Sequence, residues 1–256
     1  PVLQSFKQEA ERRGYDITFI THNMGHSKMT YLEHCRYRNV DGICIVCSHF
    51  DDSEVLQLVS SSLPLVTIDH VFNNKACIQS ENRQGVEALT RHILSMGHKK
   101  IAFVYGAEDT VSDIRLTTFL RTMNEAGLSV PDDYLVASPY HDPASTREAT
   151  AQLLALADRP TCILMPDDYS ALGGMDAIRA ADLRVPEDIS ITGYDGVAMI
   201  QMCQPQLTTV EQDVSRIGRE AARKLVHLIE QPRTTLPEII SVPCRLIAGK
   251  TVAKLG

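Results

Sequence analysis

The chain lacks three things, and each absence removes a class of function. It has no long apolar run: the longest uninterrupted stretch, near Ile43–Cys47, falls far short of the roughly 18 residues that a membrane-spanning helix needs. It has no basic cluster longer than Arg12-Arg13 or Lys99-Lys100. With 25 Lys and Arg against 32 Asp and Glu, the formal charge is -7, so these residues carry no electrostatic footprint for a phosphate backbone. It also has no Gly-x-x-x-x-Gly-Lys-Ser/Thr, no Gly-x-Gly-x-x-Gly after a strand, no Gly-x-Ser-x-Gly and no His-Glu-x-x-His, the arrangements that cradle phosphates, expose a nucleophile or hold zinc. Any nucleic-acid role is therefore expected in a part outside this sequence. The chain opens at Pro1 inside a helical pattern, without an initiator Met or a signal peptide, and reads as a fragment.

What is present is the balance of a soluble globular protein, 44% hydrophobic and 22% charged over 256 residues, enough for one large domain or two lobes. Seven cysteines, an odd number, lie partly in apolar strand-like runs, which suits buried thiols in a reducing cytoplasm better than a disulfide framework. The single Cys-x-x-Cys, Cys44–Cys47, places its thiols on opposite faces of a strand, so neither a metal nor a redox site is expected there, and no cofactor is expected elsewhere. The nine histidines have no ligand spacing, and His98, following Gly97, reads as a helix-end residue near carbonyls.

Helical and strand periods alternate throughout. Val2, Leu3, Phe6 and Ala10 form an apolar stripe before Gly14 and a strand at 17–21; helices near 28–37, 53–60 and 83–96 then alternate with strands at 42–47, 65–69 and 101–106. A second series has helices near 112–126, 144–157 and 169–181 and strands near 135–137, 161–165 and 189–193. The strands are near-continuously apolar, as strands covered on both faces must be. This predicts an α/β protein of two doubly wound, mostly parallel-sheet lobes. The long amphipathic helix 213–230, with Val214, Ile217, Ala221, Leu225 and Leu228 on one face, either packs back on the first lobe or meets another subunit, and 238–243 reads as a late strand.

The acids fall where such sheets bind ligands. Asp69, Asp167, Asp168 and Asp195 all stand at carboxyl ends of predicted parallel strands, where diverging loops leave a crevice. For Asp168, just before Tyr169-Ser170-Ala171, helix capping is the expected role; for Asp69 and Asp195, with no helix start immediately after, it is ligand contact. Arg115, at the start of a helix, has the forked donors that complement carboxylates around a polyhydroxylated ligand, and Tyr140-His141-Asp142 offers an aromatic for its apolar face. A solvated Arg and a solvated turn are the plain alternatives. No nucleophile or metal constellation accompanies the acids, so an enzyme is not expected.

In order along the chain, these segments resemble the ligand-sensing core of the LacI/GalR family of bacterial transcription regulators: Val40-Asp41-Gly42-Ile43, Leu63-Pro64-Leu65-Val66-Thr67-Ile68-Asp69, Gly97-His98-Lys99-Lys100-Ile101-Ala102-Phe103, Arg115 with Phe119, Pro160-Thr161, Asp168 with Ala171-Leu172-Gly173, Val185-Pro186-Glu187-Asp188-Ile189-Ser190-Ile191, Gly193-Tyr194-Asp195, and Leu207-Thr208-Thr209-Val210 with Gln212. The resemblance implies a periplasmic-binding-protein-like fold of type I, its lobes joined by three crossings: residues 1–106 with 211–242, and 107–210 with 243–256. It further implies an N-terminal DNA-binding head and a first strand lying before Pro1, and a homodimer whose DNA-binding responds to an effector in the interlobe cleft. Carried over by position, Asp69, Arg115, Asp195 and Gln212 match the family's effector contacts. Asp167 stands where many members have Asn, Gly196 replaces a second acid, and Ser80 lies where an aromatic often lines the pocket. The excess of carboxylates favours a neutral sugar or polyol, or a cationic group, over a sugar phosphate. A sugar transporter's solute-binding protein shares the fold and is the alternative; the cysteines and the segment Leu207–Gln212 argue against it.

Overall fold

The structure, a computed structural model, describes residues 1–20, 23–24, 27–46, 50–106 and 110–255. In chain order the elements are α1 (Val2–Arg12), β1 (Asn23–Met24), β2 (Ser27–Lys28), α2 (Tyr31–Arg38), β3 (Ile43–Ile45), α3 (Ser53–Ser60), β4 (Leu65–Ile68), β5 (Ala76–Ser80), α4 (Asn82–Ser95), β6 (Ile101–Tyr105), α5 (Thr110–Glu125), β7 (Leu135–Ala137), α6 (Pro143–Leu154), β8 (Cys162–Leu164), α7 (Asp168–Ala180), β9 (Ser190–Thr192), β10 (Thr209–Gln212), α8 (Val214–Glu230), β11 (Ile239–Val242) and β12 (Cys244–Ile247). They form two compact units. The first is Pro1–Ser80 with Asp213–Val242, the second Glu81–Gln212 with Pro243–Gly256, so the chain passes between units three times.

The first unit has a parallel sheet in the order β11-β5-β4-β3. Helix α8 lies on it: Ile217, Ala221 and Leu225 pack with Val66, Ile68, Ala76 and Ile78, and Val2 and Phe6 of α1 join them. Of the two placements open to α8, packing back on the first lobe is therefore the one observed. On the other side Leu32, Cys35, Val55 and Leu58 from α2 and α3 pack with Ile43, Ile45 and Leu65. Thr30 caps α2 by accepting from the Glu33 amide while Glu33 returns to the Thr30 amide, a reciprocal pairing that fixes where the helix begins.

The second unit has a parallel sheet in the order β7-β6-β8-β9 and a separate antiparallel pair, β10-β12. One core holds Ile163, Ile178, Ile191 and Leu207, the other Phe103, Phe119, Leu89 and Leu164. β6 carries Ile101–Tyr105 into this sheet between β7 and β8, and α4 packs beside it. The first crossing consequently falls after Ser80, not near residue 106 as expected: strand pairing assigns residues 81–106 to the second unit.

Five strands are absent from the predicted pattern, the two-residue β1 and β2 and the longer β5, β10 and β12. β5, β10 and β12 each follow another strand without an intervening α-helix, so the helix-strand alternation gives no sign of them. Conversely, Ile17–Ile20 of the expected strand 17–21 carry no strand pairing, and Thr21 and Cys47 lie outside the described residues. Six cysteines, Cys35, Cys44, Cys77, Cys162, Cys203 and Cys244, are free thiols. Among the described residues no helix is long and apolar enough to cross a membrane.

Candidate functional site

Arg115 sits in the first half of α5 and is only 5% exposed. A guanidinium so buried has to be satisfied by fixed partners. Its Nε donates to Asn82 Oδ1 at 2.9 Å and its Nη1 to the Pro166 carbonyl at 2.9 Å, while its plane lies 3.7 Å from the Tyr194 ring centroid and 5.8 Å from that of Tyr140. The fork is thus aimed by an amide, a carbonyl and two aromatic faces. Burial pushes the Tyr194 hydroxyl well above its ordinary pKa, so the ring beneath the cation stays neutral, with Arg115 opposing the shift.

Asp195 follows Tyr194 with φ at +106°, a backbone region that non-glycine residues rarely occupy. The turn is held on both sides: the Asp195 amide donates to the Val210 carbonyl at 2.8 Å and the Gln212 amide to the Asp195 carbonyl at 3.2 Å. Gln212 Nε2 also donates to Asp195 Oδ1 at 2.5 Å. Burial raises the Asp195 carboxyl above its ordinary value, against the pull of Arg115 and the Gln212 hydrogen bond. The structure therefore brings Arg115, Asp195 and Gln212 into one electrostatic group.

Asp167, not Asp168, caps α7. It accepts from the Ser170 amide at 2.8 Å and the Ser170 hydroxyl at 2.8 Å, and also from the His141 amide at 2.8 Å; His141 Nδ1 lies 3.4 Å from it. The capping role expected for Asp168 moves back one residue because that backbone is still extended at Asp167. Asp168 is fully buried instead, accepting from the Thr209 hydroxyl at 2.6 Å and the Val197 amide at 2.6 Å. Burial pushes its pKa up to about 7 despite those bonds. The Tyr140 hydroxyl pairs with Ser112 Oγ at 2.9 Å, and its ring lies against Gly106, where a Cβ would come within 2.1 Å of Cζ. Only glycine leaves room for that ring.

Asp69 and Ser80 belong to the first unit. The Ser80 amide donates to Asp69 Oδ1 at 3.3 Å, Asp69 has φ +62°, and Ser80 is buried. The eight predicted site residues thus fall into two groups: Asp69 with Ser80, and Arg115, Tyr140, His141, Asp167, Asp195 and Gln212 in the second unit. Sequence reasoning missed Asn82 and Tyr194 as their supports. Tyr194 stands beside Asp195 in a segment already singled out, whereas nothing local marks Asn82, which meets Arg115 only through the fold. His98 lies three residues past α4 and is buried; its Nε2 donates to the Ala253 carbonyl at 2.9 Å and its Nδ1 is 2.9 Å from Thr161 Oγ1, so it meets the C-terminal segment and not the carbonyl end of the helix. Among the described residues no group of three or more His, Cys, Asp or Glu could hold a metal ion.

Acids, an arginine and an amide gathered beyond strand ends of an open α/β sheet are the arrangement in which such folds hold small molecules. The periplasmic binding protein-like domain family matches residues 90–252. The HTH-type transcriptional repressor PurR of Pasteurella multocida (strain Pm70) is 32% identical over 256 residues, covering 98% of this chain and 76% of that protein. A regulatory protein of the LacI family from Chloroflexus aggregans is 26% identical with a TM-score of 0.84, covering 99% of this chain and 92% of that one. A LacI family regulator from Enterococcus faecium, with bound ribose, superposes with a TM-score of 0.83 at 24% identity, covering 100% of this chain and 94% of its own, and shows the fold. The chain belongs to the LacI family of transcriptional regulators and corresponds to their effector-binding portion. The PurR relative is named as a transcriptional repressor.

Proposed function

We propose that this chain senses a small neutral polar effector, a sugar or polyol, and thereby controls operator binding by a DNA-binding head outside residues 1–256. The observation that carries the reading is the group of buried Arg115 with half-buried Asp195 and Gln212, and Tyr140 beside it: acceptor, fork of donors, amide and ring face together match a hydroxylated ring. Asp167 and His141 complete the second unit's group, and Asp69 and Ser80 are the first unit's own candidates for effector contact. The ribose in the fold neighbour from Enterococcus faecium is in keeping with a sugar. A flat heterocycle is the second reading, favoured by Tyr140, whose ring is fixed by Ser112 and Gly106. The regulator acts as a homodimer in the cytoplasm, and effector binding favours one arrangement of its units over another.

A thermal-shift screen of sugars, polyols and nucleobases tests this. At about 100 times its dissociation constant an effector adds roughly 2.7 kcal/mol of stability. Asp195→Ala and Arg115→Ala each remove a hydrogen bond to a charged group and weaken binding roughly ten- to a hundredfold. A compound that stabilises both variants as well as the parent would move the site elsewhere, and one from the nucleobase set would replace the sugar.

A further inference from the structure

The second unit's ends of all three chain crossings are tied to the same few residues. Asn82, two residues past the first crossing, accepts from Arg115 Nε at 2.9 Å. Gln212, the last residue before the second crossing, donates to Asp195. Cys244, just past the third, has its thiol 3.8 Å from the hydroxyl of Tyr194, the ring on which Arg115 lies.

Secondary bonds lock these ties in place. The Cys244 amide donates to Gln84 Oε1 at 3.2 Å, joining the first and third crossings through α4. Gly85, one turn into α4, lies so close to Tyr194 that a Cβ would stand 2.3 Å from its hydroxyl oxygen. Gln212 is the register partner of Cys244 in the antiparallel β10-β12 pair, joining the second crossing to the third. The first unit repeats the pattern on its own side, where the amide of Ser80, its last residue before the first crossing, donates to Asp69.

We propose that Asn82, Tyr194 with Cys244, and Gln212 are positioning residues that mechanically couple Arg115 and Asp195 to the three crossings. Resting on the effector reading above, the inference makes the ligand-contacting groups and the second unit's crossing segments one hydrogen-bonded assembly. Displacement of Arg115 strains the start of α4 through Asn82, displacement of Asp195 strains the end of β10 through Gln212, and tilting of Tyr194 strains the start of β12 through Cys244. A ligand that moves any of the three therefore acts on a crossing segment without an intermediate element.

Hydrogen exchange of the ligand-free protein tests the coupling independently of any effector. Arg115→Ala and Asn82→Ala are expected to speed exchange at Gly85 and Val86 at least about tenfold, Asp195→Ala at the amides of Asp195 and Gln212, and Tyr194→Phe at Cys244. Each should speed its own set several-fold more than the other two, which feel it only through the Cys244 bonds. Arg115→Lys, which keeps the charge and loses the fork, serves if the alanine variant does not fold. Ile178→Val, a core change of the same unit, is the reference for uniform loosening. Exchange that rises at all three sets together, as in the reference, or at none, overturns the proposal. The effector screen can fail while the exchange pattern holds, and the reverse, so the two readings are judged separately.

Discussion

The two units carry the same kind of sheet but are finished differently. In the second, buried apolar clusters lie against the sheet, and Arg115, Asp167 and Asp168 are buried polar residues with short hydrogen bonds to fixed partners. In the first, a half-open groove of about 660 Å³ lies beside β3, lined by Phe6, Ile17, Val40, Ile45, Leu225 and Ile229 among others. The contrast teaches that the second unit holds buried polar groups still, while the described residues of the first leave an open groove beside β3. The second unit should therefore open last and the first unit first.

Core truncation gives the largest test of that difference. Ile163 is fully buried in the second unit, and Ile163→Ala is expected to cost about 3–5 kcal/mol. Leu225 already faces the groove in the first unit, so Leu225→Ala loses fewer contacts and should cost about 2–3 kcal/mol. Urea titration of both variants measures the gap, and equal costs would mean that the groove does not loosen its lining.

A smaller effect separates the units by pH. Asp168 in the second unit has its pKa raised to about 7 by burial, so the folded state binds a proton that the unfolded chain releases above its ordinary carboxylate value of 3.8. Its contribution is favourable in acid and fades as pH climbs from about 4 through 7, a change on the order of a few kcal/mol. Glu9 in the first unit behaves oppositely. Hydrogen bonds from Arg12, Arg13 and Arg223 hold its carboxyl well below the ordinary range against the opposing effect of its burial, so its stabilisation is full above 4.5 and is lost as pH falls below that. Asp168→Asn, isosteric with the protonated acid, should flatten the stability profile between pH 4 and 7 alone; Glu9→Gln should flatten only the acid limb. Exchange measured across pH 3–8 reads each unit's slope, and a shared slope would collapse the distinction.

The smallest expected effect is at the surface. Arg91 pairs with Glu87 and Glu125 at 2.9 and 2.8 Å, but all three side chains are exposed, and exposed pairs contribute little. Arg91→Ala should leave the urea midpoint of the second unit within experimental scatter, in contrast to Asp168→Asn.

Much of this architecture is legible in the sequence because long amphipathic helices announce themselves. α3 at Ser53–Ser60 and β7 at Leu135–Ala137 lie where periodicity puts them, and α4, α7 and α8 begin and end within one residue of expectation. What escapes is what depends on distant pairing. β5 is recognised only by its ladder with β4 and β11, and it shifts the first crossing by some 26 residues from 106 to 80. Sheet-edge acids are visible one by one, yet which of them caps, which is buried and which meets Arg115 is decided by neighbours 26 to 41 residues away, as with His141 for Asp167 and Thr209 for Asp168. Asn82 has no local signature at all.

Asp69 and Asp195, one in each unit, share a backbone trait, with φ at +62° and +106°. Few side chains tolerate that region; aspartate, asparagine and glycine do so most readily. The two positions are consequently poor ground for the evolution of new ligand preference, since most replacements would disturb the turn before they altered recognition. Diversification has freer ground at Tyr140, whose backbone is under no such restriction, and at the neighbouring face of Ser112. A lineage of such sensors would be expected to keep its acids and exchange its aromatics.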